Sequence, residues 1–476
     1  MAAPTVPTRE FDVAVFGATG FTGKHIAREI VASGFKGTWA IAGRSRDRLS
    51  AVAASLPSPV AGASAPALVV ADVDDPSSLV ALAKSARVVI SAVGPFRFLG
   101  RPVAEAAIEG GADLLDICGE PDYLERTAFE LGPKAAEAGV LAVSAAGFDS
   151  IPGDVGAQQV VKLLPPGSTP NRVDSIVRIS GGPAGVGGHY ATYESAIHGF
   201  AAAGELAALR KRAAARAKAE GEPRAPPVPG ERPARLPQVS RLPGYPSARL
   251  VPFLGADASV IRRSVAFRAA RGIAAPFYSS VSLALPSPKA LFLYSLAGSV
   301  FSFLAKRAWG RSLLLRFPRL FSFGFFSHRG PTPLQIQQGR FAVVHVAKGY
   351  GPEASPSAEK GGAAAAAAVA AGTAPLKDAS SPSSSAPALS GPPTVTRALA
   401  IRGPEAGYVS CAIFIVAAAK TLLEERDAVL AATKGPGVFT PGEAFADVGL
   451  AERIRQRGVV WEEVPVDDVP EIVKAP

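Results

Sequence analysis

FDVAVFGATGFTG, from Phe11 to Gly23, reads as a short buried strand over Phe11–Phe16, a glycine turn, and the start of a helix that continues to Ala32. A G-x-x-G-x-x-G turn placed directly between strand and helix is the context in which such glycines bind a dinucleotide. Gly17 suits a tight turn, Gly20 lets backbone approach a pyrophosphate, and Gly23 permits close packing of helix on strand. Thr19, Phe21 and Thr22 complete the loop, and the helix start offers free N–H groups and a positive dipole end to phosphate. A nucleotide triphosphatase loop is excluded, because Lys24 is followed by His25 where a Ser or Thr would hold magnesium.

Working outward, further strands are predicted at 38–42, 67–71, 88–92, 114–117 and 140–144, with helical patterns between most of them. Apolar strands alternating with helices predict a parallel sheet covered on both faces. The fold class expected is α/β: a doubly wound Rossmann domain over residues 1–155, a second α/β domain over 156–352, a disordered insert over 353–393, and a C-terminal strand and helix over 394–476 that complete the two-domain body. The insert holds six consecutive alanines and a Ser/Pro run, too little apolar bulk to offset the entropy of ordering. Strands are expected at 173–180, 281–285 and 395–402, and helices at 191–218 and 408–425.

The second strand runs into Arg44, Ser45 and Arg46, where an NAD site usually carries an acid for the ribose hydroxyls. A guanidinium there can fork onto a 2′-phosphate, so NADP(H) is the cofactor expected, with Arg44 and Ser45 as phosphate ligands. Asp72 is a candidate for the adenine amino group, and Gly94 and Pro95 lie at the carboxyl end of the fourth strand, where ligands of open α/β sheets sit. Asp116, Glu120 and Asp149 leave the fifth and sixth strands on that side and are the candidate catalytic residues, although each suits a helix cap equally well. His189, Tyr190 and Tyr193, after a glycine-rich loop at 181–188, face either substrate or second-domain packing. A Tyr with Lys four residues on, the acid pair of many nucleotide-dependent reductases, is absent, and the His and Cys spacings give no metal site.

The two cysteines, Cys118 and Cys411, are too few for a disulfide framework, and no signal-peptide run precedes the first strand, so a cytoplasmic rather than secreted protein is expected. The formal charge of +10 is concentrated between residues 205 and 271, where 14 Lys and Arg face 5 acidic residues, a net of +9. Sparse aromatics and repeated Pro argue against nucleic acid there. From 290 to 305 runs a stretch of 16 mostly apolar residues, followed by Arg307, Arg311, Arg316 and Arg319 among Leu and Phe. It is short for a bilayer span. Residues 289–329 therefore suit either an interfacial helix pair on an anionic membrane or other lipid surface, or burial against the rest of the chain.

FGATGFTG, WAIAGRSRDRL, VGPFRFLGRPV, DICGEP, SAAGFDSIPGDVG, FFSHRGPTPLQI, RGPEAGYV and GVFTPGEAF, in this order between residues 16 and 445, resemble the saccharopine dehydrogenase-like oxidoreductases of animals and, more distantly, bacterial trans-acting enoyl reductases. The resemblance implies NADPH-dependent reduction of a carbonyl, imine or enoyl group on a small or lipid-like substrate, in lipid or glycolipid metabolism, with an association with lipid droplets or membranes. Saccharopine itself is not an expected substrate, because the likeness to true saccharopine dehydrogenases is confined mainly to the cofactor domain. The alternative is an NADPH-binding protein of membrane or droplet surfaces without turnover.

Overall fold

The computed structural model describes residues 9–148, 150–234, 237–354, 389 and 391–475. Most of the expected insert, 355–388 and 390, lies outside them. Six strands, β1 (Phe11–Phe16), β2 (Trp39–Gly43), β3 (Ala67–Val70), β4 (Ala86–Ser91), β5 (Asp113–Asp116) and β6 (Leu141–Val143), pair in parallel in the order β3-β2-β1-β4-β5-β6. The order reverses between β1 and β4, and the helix α1 (Phe21–Ala32) starts at that switch point. A seventh strand, Gly437–Phe439, pairs in parallel with β6 from far down the chain.

Residues beyond β6 build a second, mixed sheet. Its spatial order is Val460–Val464, Val395–Pro404, Arg340–Tyr350, Thr169–Ser180, Tyr278–Leu285, Tyr245–Pro252 and Ser240–Leu242. Only Thr169–Ser180 and Tyr278–Leu285 run parallel; the other pairs are antiparallel. The helix Cys411–Glu424 then crosses back to cover the first sheet, packing on α1, β4 and β5. Phe341 of the second sheet meets Phe148 after β6 and Phe414 of this helix edge to face, with Phe148 and Phe341 centroids 4.8 Å apart, so one apolar core joins both sheets.

The helix expected over 191–218 is two helices, Tyr190–Ala201 and Ala203–Ala219, broken at Ala202. Tertiary packing overrides the good helix formers there. The first helix buries Tyr193 and Ile197, while the second is drawn onto Pro121–Glu137, where Arg210 pairs with Glu125 and Arg216 stacks 3.9 Å above the Phe129 ring. Part of the basic segment is thereby tied into the body of the protein.

Residues 288–321 form three helices, Pro288–Ala305, Ala308–Arg316 and Pro318–Phe321. Their inner side packs on Tyr190–Ala201, with Phe301 against Tyr193 and Phe200. Outward stand Phe292, Leu296, Phe303, Trp309, Leu320 and Phe323, all exposed.

Candidate active site

The glycine turn is shaped for something to lie on it. Gly17 has φ +84°, and a Cβ there would stand 2.7 Å from Val93 Cγ2; one on Gly23 would stand 2.2 Å from the Gly17 carbonyl oxygen. No side chain caps α1 at Gly20 and no acid occupies its first turn, so the backbone N–H groups of Phe21, Thr22 and Gly23 are available to an anion. Thr19 lies beneath this turn against Gly43, at the end of β2. Arg44 follows, exposed, with no hydrogen bond or ion pair among the described residues. Ser45 caps the next helix by accepting from the Arg48 N–H at 3.4 Å. This donor set fits a dinucleotide carrying a 2′-phosphate. Past β3, Asp72 accepts from the Asp74 N–H at 3.3 Å, and it is Asp75 that caps the helix Pro76–Ser85. Gly94 and Pro95, joined by a cis peptide, lead from β4 into the helix Phe96–Gly110.

Two of the three candidate catalytic acids are committed to the framework. Asp116 is buried; its Oδ1 accepts from the N–H groups of Cys118 and Ala145, at 2.9 and 3.0 Å, and its Oδ2 from Ser144 Oγ at 2.7 Å, which ties the loops after β5 and β6 together. Burial raises its pKa to about 6 against these hydrogen bonds. Glu120 is buried as well and caps the helix Phe96–Gly110 from outside it, accepting from the Phe96 and Arg97 N–H groups at 2.8 and 3.2 Å and from Ser195 Oγ at 2.8 Å. Asp149 lies outside the described residues.

Between the two sheets is a cavity of about 430 Å³. Thr22 of α1 and Ile117, Cys118, Gly147 and Phe148 from the loops after β5 and β6 form one wall; Ile179, Phe253, Phe325, Phe326 and Tyr408 belong to the other. The charged side chains on its lining are Arg340 and Glu405. Glu405 accepts from the N–H groups of Gly407, Tyr408 and Val409 at 2.7 to 3.1 Å, and so caps the turn that opens the long buried helix. Arg340 donates to the carbonyls of Gln337 and Gly339 at 2.9 and 2.7 Å. Neither charge is free to dominate a cavity whose walls are otherwise apolar or neutral.

His189 is brought to this region by its backbone, whose N–H donates to the Tyr408 hydroxyl at 2.7 Å, while its ring stacks on Phe21, centroids 5.3 Å apart. Tyr190 stacks on His328 at 4.0 Å, and Tyr193 is buried toward Phe301 and Phe326. Tyr408 and Glu405 carry no reductase signature in the sequence: the residue four beyond Tyr408 is Ala412, not Lys. Their one signal is membership of the RGPEAGYV stretch.

A family model described as the saccharopine dehydrogenase NADP binding domain matches residues 13–143, the segment that holds the glycine turn and Arg44. The chain is similar to the saccharopine dehydrogenase-like oxidoreductase of Rattus norvegicus, 34% identical over 97% of this chain and 99% of the relative. It is similar to the lipid droplet localized protein of Caenorhabditis elegans, 30% identical over 95% of this chain and 98% of that one. A Mycobacterium tuberculosis protein named among the trans-acting enoyl reductases is 39% identical over 32% of this chain and 35% of its own length.

Proposed function

Because this chain belongs to the saccharopine dehydrogenase-like oxidoreductases, with their NADP-binding domain, we propose that it reduces a carbonyl, imine or conjugated double bond on a lipid-like substrate held in the cavity between its sheets. The observation that carries this reading is the apolar lining, which continues through Phe325 and Phe326 into the exposed helices of 288–321. Bound NADPH supplies a hydride. The residues that hold it are the turn Gly17–Gly23 and Arg44, with Ser45, Asp72, Gly94 and Pro95 around them. Saccharopine, with its several carboxylates, would need several free cations, and Arg340 alone stands on the described lining. The enoyl option draws on the name of the mycobacterial relative.

Incubation of the purified chain with NADPH tritiated at the nicotinamide C4 and a total lipid extract tests this directly. Tritium recovered in an extractable lipid product is the expected result. No transfer to any lipid class, with NADPH bound, would leave the second reading: an NADPH-binding protein that docks on lipid surfaces. That reading has its own observation in the outward-facing Phe, Leu and Trp side chains of 288–321, flanked by Arg307, Arg311, Arg316 and Arg319. In both readings the chain works at the face of a membrane or droplet from the cytoplasmic side. For the cofactor, Arg44→Glu should weaken NADPH binding about 10- to 100-fold, the worth of one or two charge-assisted hydrogen bonds, and spare NADH; equal loss for both nucleotides would move the phosphate site elsewhere.

A further inference from the structure

We propose that the hydroxyl of Tyr408 is the proton donor of the reduction, an assignment that rests on reading the interdomain cavity as a reductive site. Tyr408 is buried, lines that cavity, and is braced edge-on against Phe21 of the glycine turn, with ring centroids 4.6 Å apart. Its position is therefore set by the same loop that receives the dinucleotide. Its oxygen accepts the backbone N–H of His189 at 2.7 Å. Accepting that bond leaves the hydroxyl hydrogen uncommitted, and it has no hydrogen-bond acceptor among the described residues.

The charged side chains and the other hydroxyls on the lining compare poorly as donors. Glu405 is occupied as an acceptor by three backbone N–H groups, and Arg340, which donates to two carbonyls through Nη1, is a guanidinium that does not give up a proton. Asp116 and Glu120, behind the wall, hold framework groups. The hydroxyls of Thr22, Ser180 and Thr192 are aliphatic alcohols, far weaker acids than a phenol. Burial pushes the Tyr408 phenol up from its ordinary range, which keeps it protonated but makes it a weaker acid than a free phenol, so its case as donor rests on its place and its uncommitted hydrogen.

In the step, the electrophilic carbon of the substrate takes a hydride, which bound NADPH would supply. The π pair moves to the carbonyl oxygen, the imine nitrogen or the α-carbon, which takes the proton from Tyr408 as its O–H bond breaks. The tyrosinate oxygen keeps the His189 N–H, a preset donor for the charge that develops there. Water returns the proton once product has left.

Laurdan, a naphthyl ketone on a lauroyl chain, probes the hydroxyl without chemistry, because its emission shifts to the red when its carbonyl accepts a hydrogen bond. Titrated into the full chain, it should bind with red-shifted emission that moves to the blue in Tyr408→Phe. Identical bound spectra would overturn the donor while leaving the apolar site intact. Failure to bind either protein would overturn the apolar-site reading, and this assignment with it. In single turnover, tritium transfer from NADPH to trans-2-hexadecenal should fall about 10²- to 10⁴-fold in Tyr408→Phe, with NADPH affinity, read by its fluorescence, unchanged. Undiminished transfer, or lost NADPH affinity, takes the proton-donor role away from Tyr408. Substitution by Phe keeps the packing on Phe21, and retained NADPH binding certifies the fold.

Discussion

Among the described residues, two helices satisfy the length and composition of a membrane span, and the fold treats them in opposite ways. Ala406–Glu424, counted with its opening turn, has a mean hydropathy of 1.8, and 78% of its apolar window is buried; Pro288–Ala305 has a mean hydropathy of 1.3, and 11% is buried. The more apolar helix is the cover of the NADP-binding sheet, closed in by α1, β4 and β5. The less apolar one stands at the surface, with only Leu304 and Ala305 of its length buried. Hydropathy thus measures how much apolar surface a helix carries, while the presence of a partner that can cover it decides where the helix lies.

The largest effect that separates the two is a charge placed in each. Phe414 is fully buried among Phe148 and Phe341, so Phe414→Asp combines a large cavity with an unpaired carboxylate. A loss of more than about 4 kcal/mol is expected, read as collapse of the cooperative melt together with loss of NADPH binding. A variant that melts normally would mean that the helix does not cover the sheet.

Replacing Arg307, Arg311, Arg316 and Arg319 together by Ser should leave the melt in place and act only at lipid. Each basic side chain near an anionic surface contributes about 1 kcal/mol. Arg307 and Arg311 also donate to the carbonyls of Phe303 and Ala305, so their share in binding is the smaller. A fall of at least about tenfold in affinity for phosphatidylserine-containing vesicles is expected, shrinking with added salt. The three tryptophans supply the readout: Trp309 is exposed on this surface, whereas Trp39 and Trp461 are buried in the body. Brominated lipid should quench the Trp309 fraction and spare the rest. Uniform or absent quenching in the unaltered chain would refute docking through these helices.

The two helices also mark how far the sequence was legible. β1 to β6 are buried on both sides by local βα units, so each reads as an apolar run bounded by turn residues, and the glycine turn declares itself by its neighbours. The return of Cys411–Glu424 and Gly437–Phe439 to a sheet begun at Phe11 leaves no local trace. Apolarity goes with burial in the first of these, while Pro288–Ala305, which the sequence left open between a lipid interface and internal packing, stands exposed over most of its length. The break at Ala202 depends on what lies beneath each half of that helical stretch, which propensity does not carry. Among the residues proposed for the site, Arg44 could be singled out in the sequence because its chemistry is set by distance along one βα unit. Tyr408 was not, because its partners are Phe21 and the His189 backbone, hundreds of residues away. Asp116 and Glu120 illustrate the converse: an acid at a strand end looks the same in sequence whether it faces a substrate or pins two loops.

The smallest effect on folding is expected at Phe292, which is 66% exposed on the outer side of Pro288–Ala305. Phe292→Ser removes no buried contact, so the unfolding free energy should stay within about 0.5 kcal/mol of the parent. At a lipid surface the same ring would be covered, and burial of a Phe side chain is worth about 1.5–3 kcal/mol; vesicle affinity should therefore drop about ten- to a hundredfold. The two measurements decide what the ring is for. A change at vesicles with none in the melt assigns it to lipid. A lowered melt would show that the ring is covered within the protein itself, and the contrast between the two helices would then rest on Cys411–Glu424 alone.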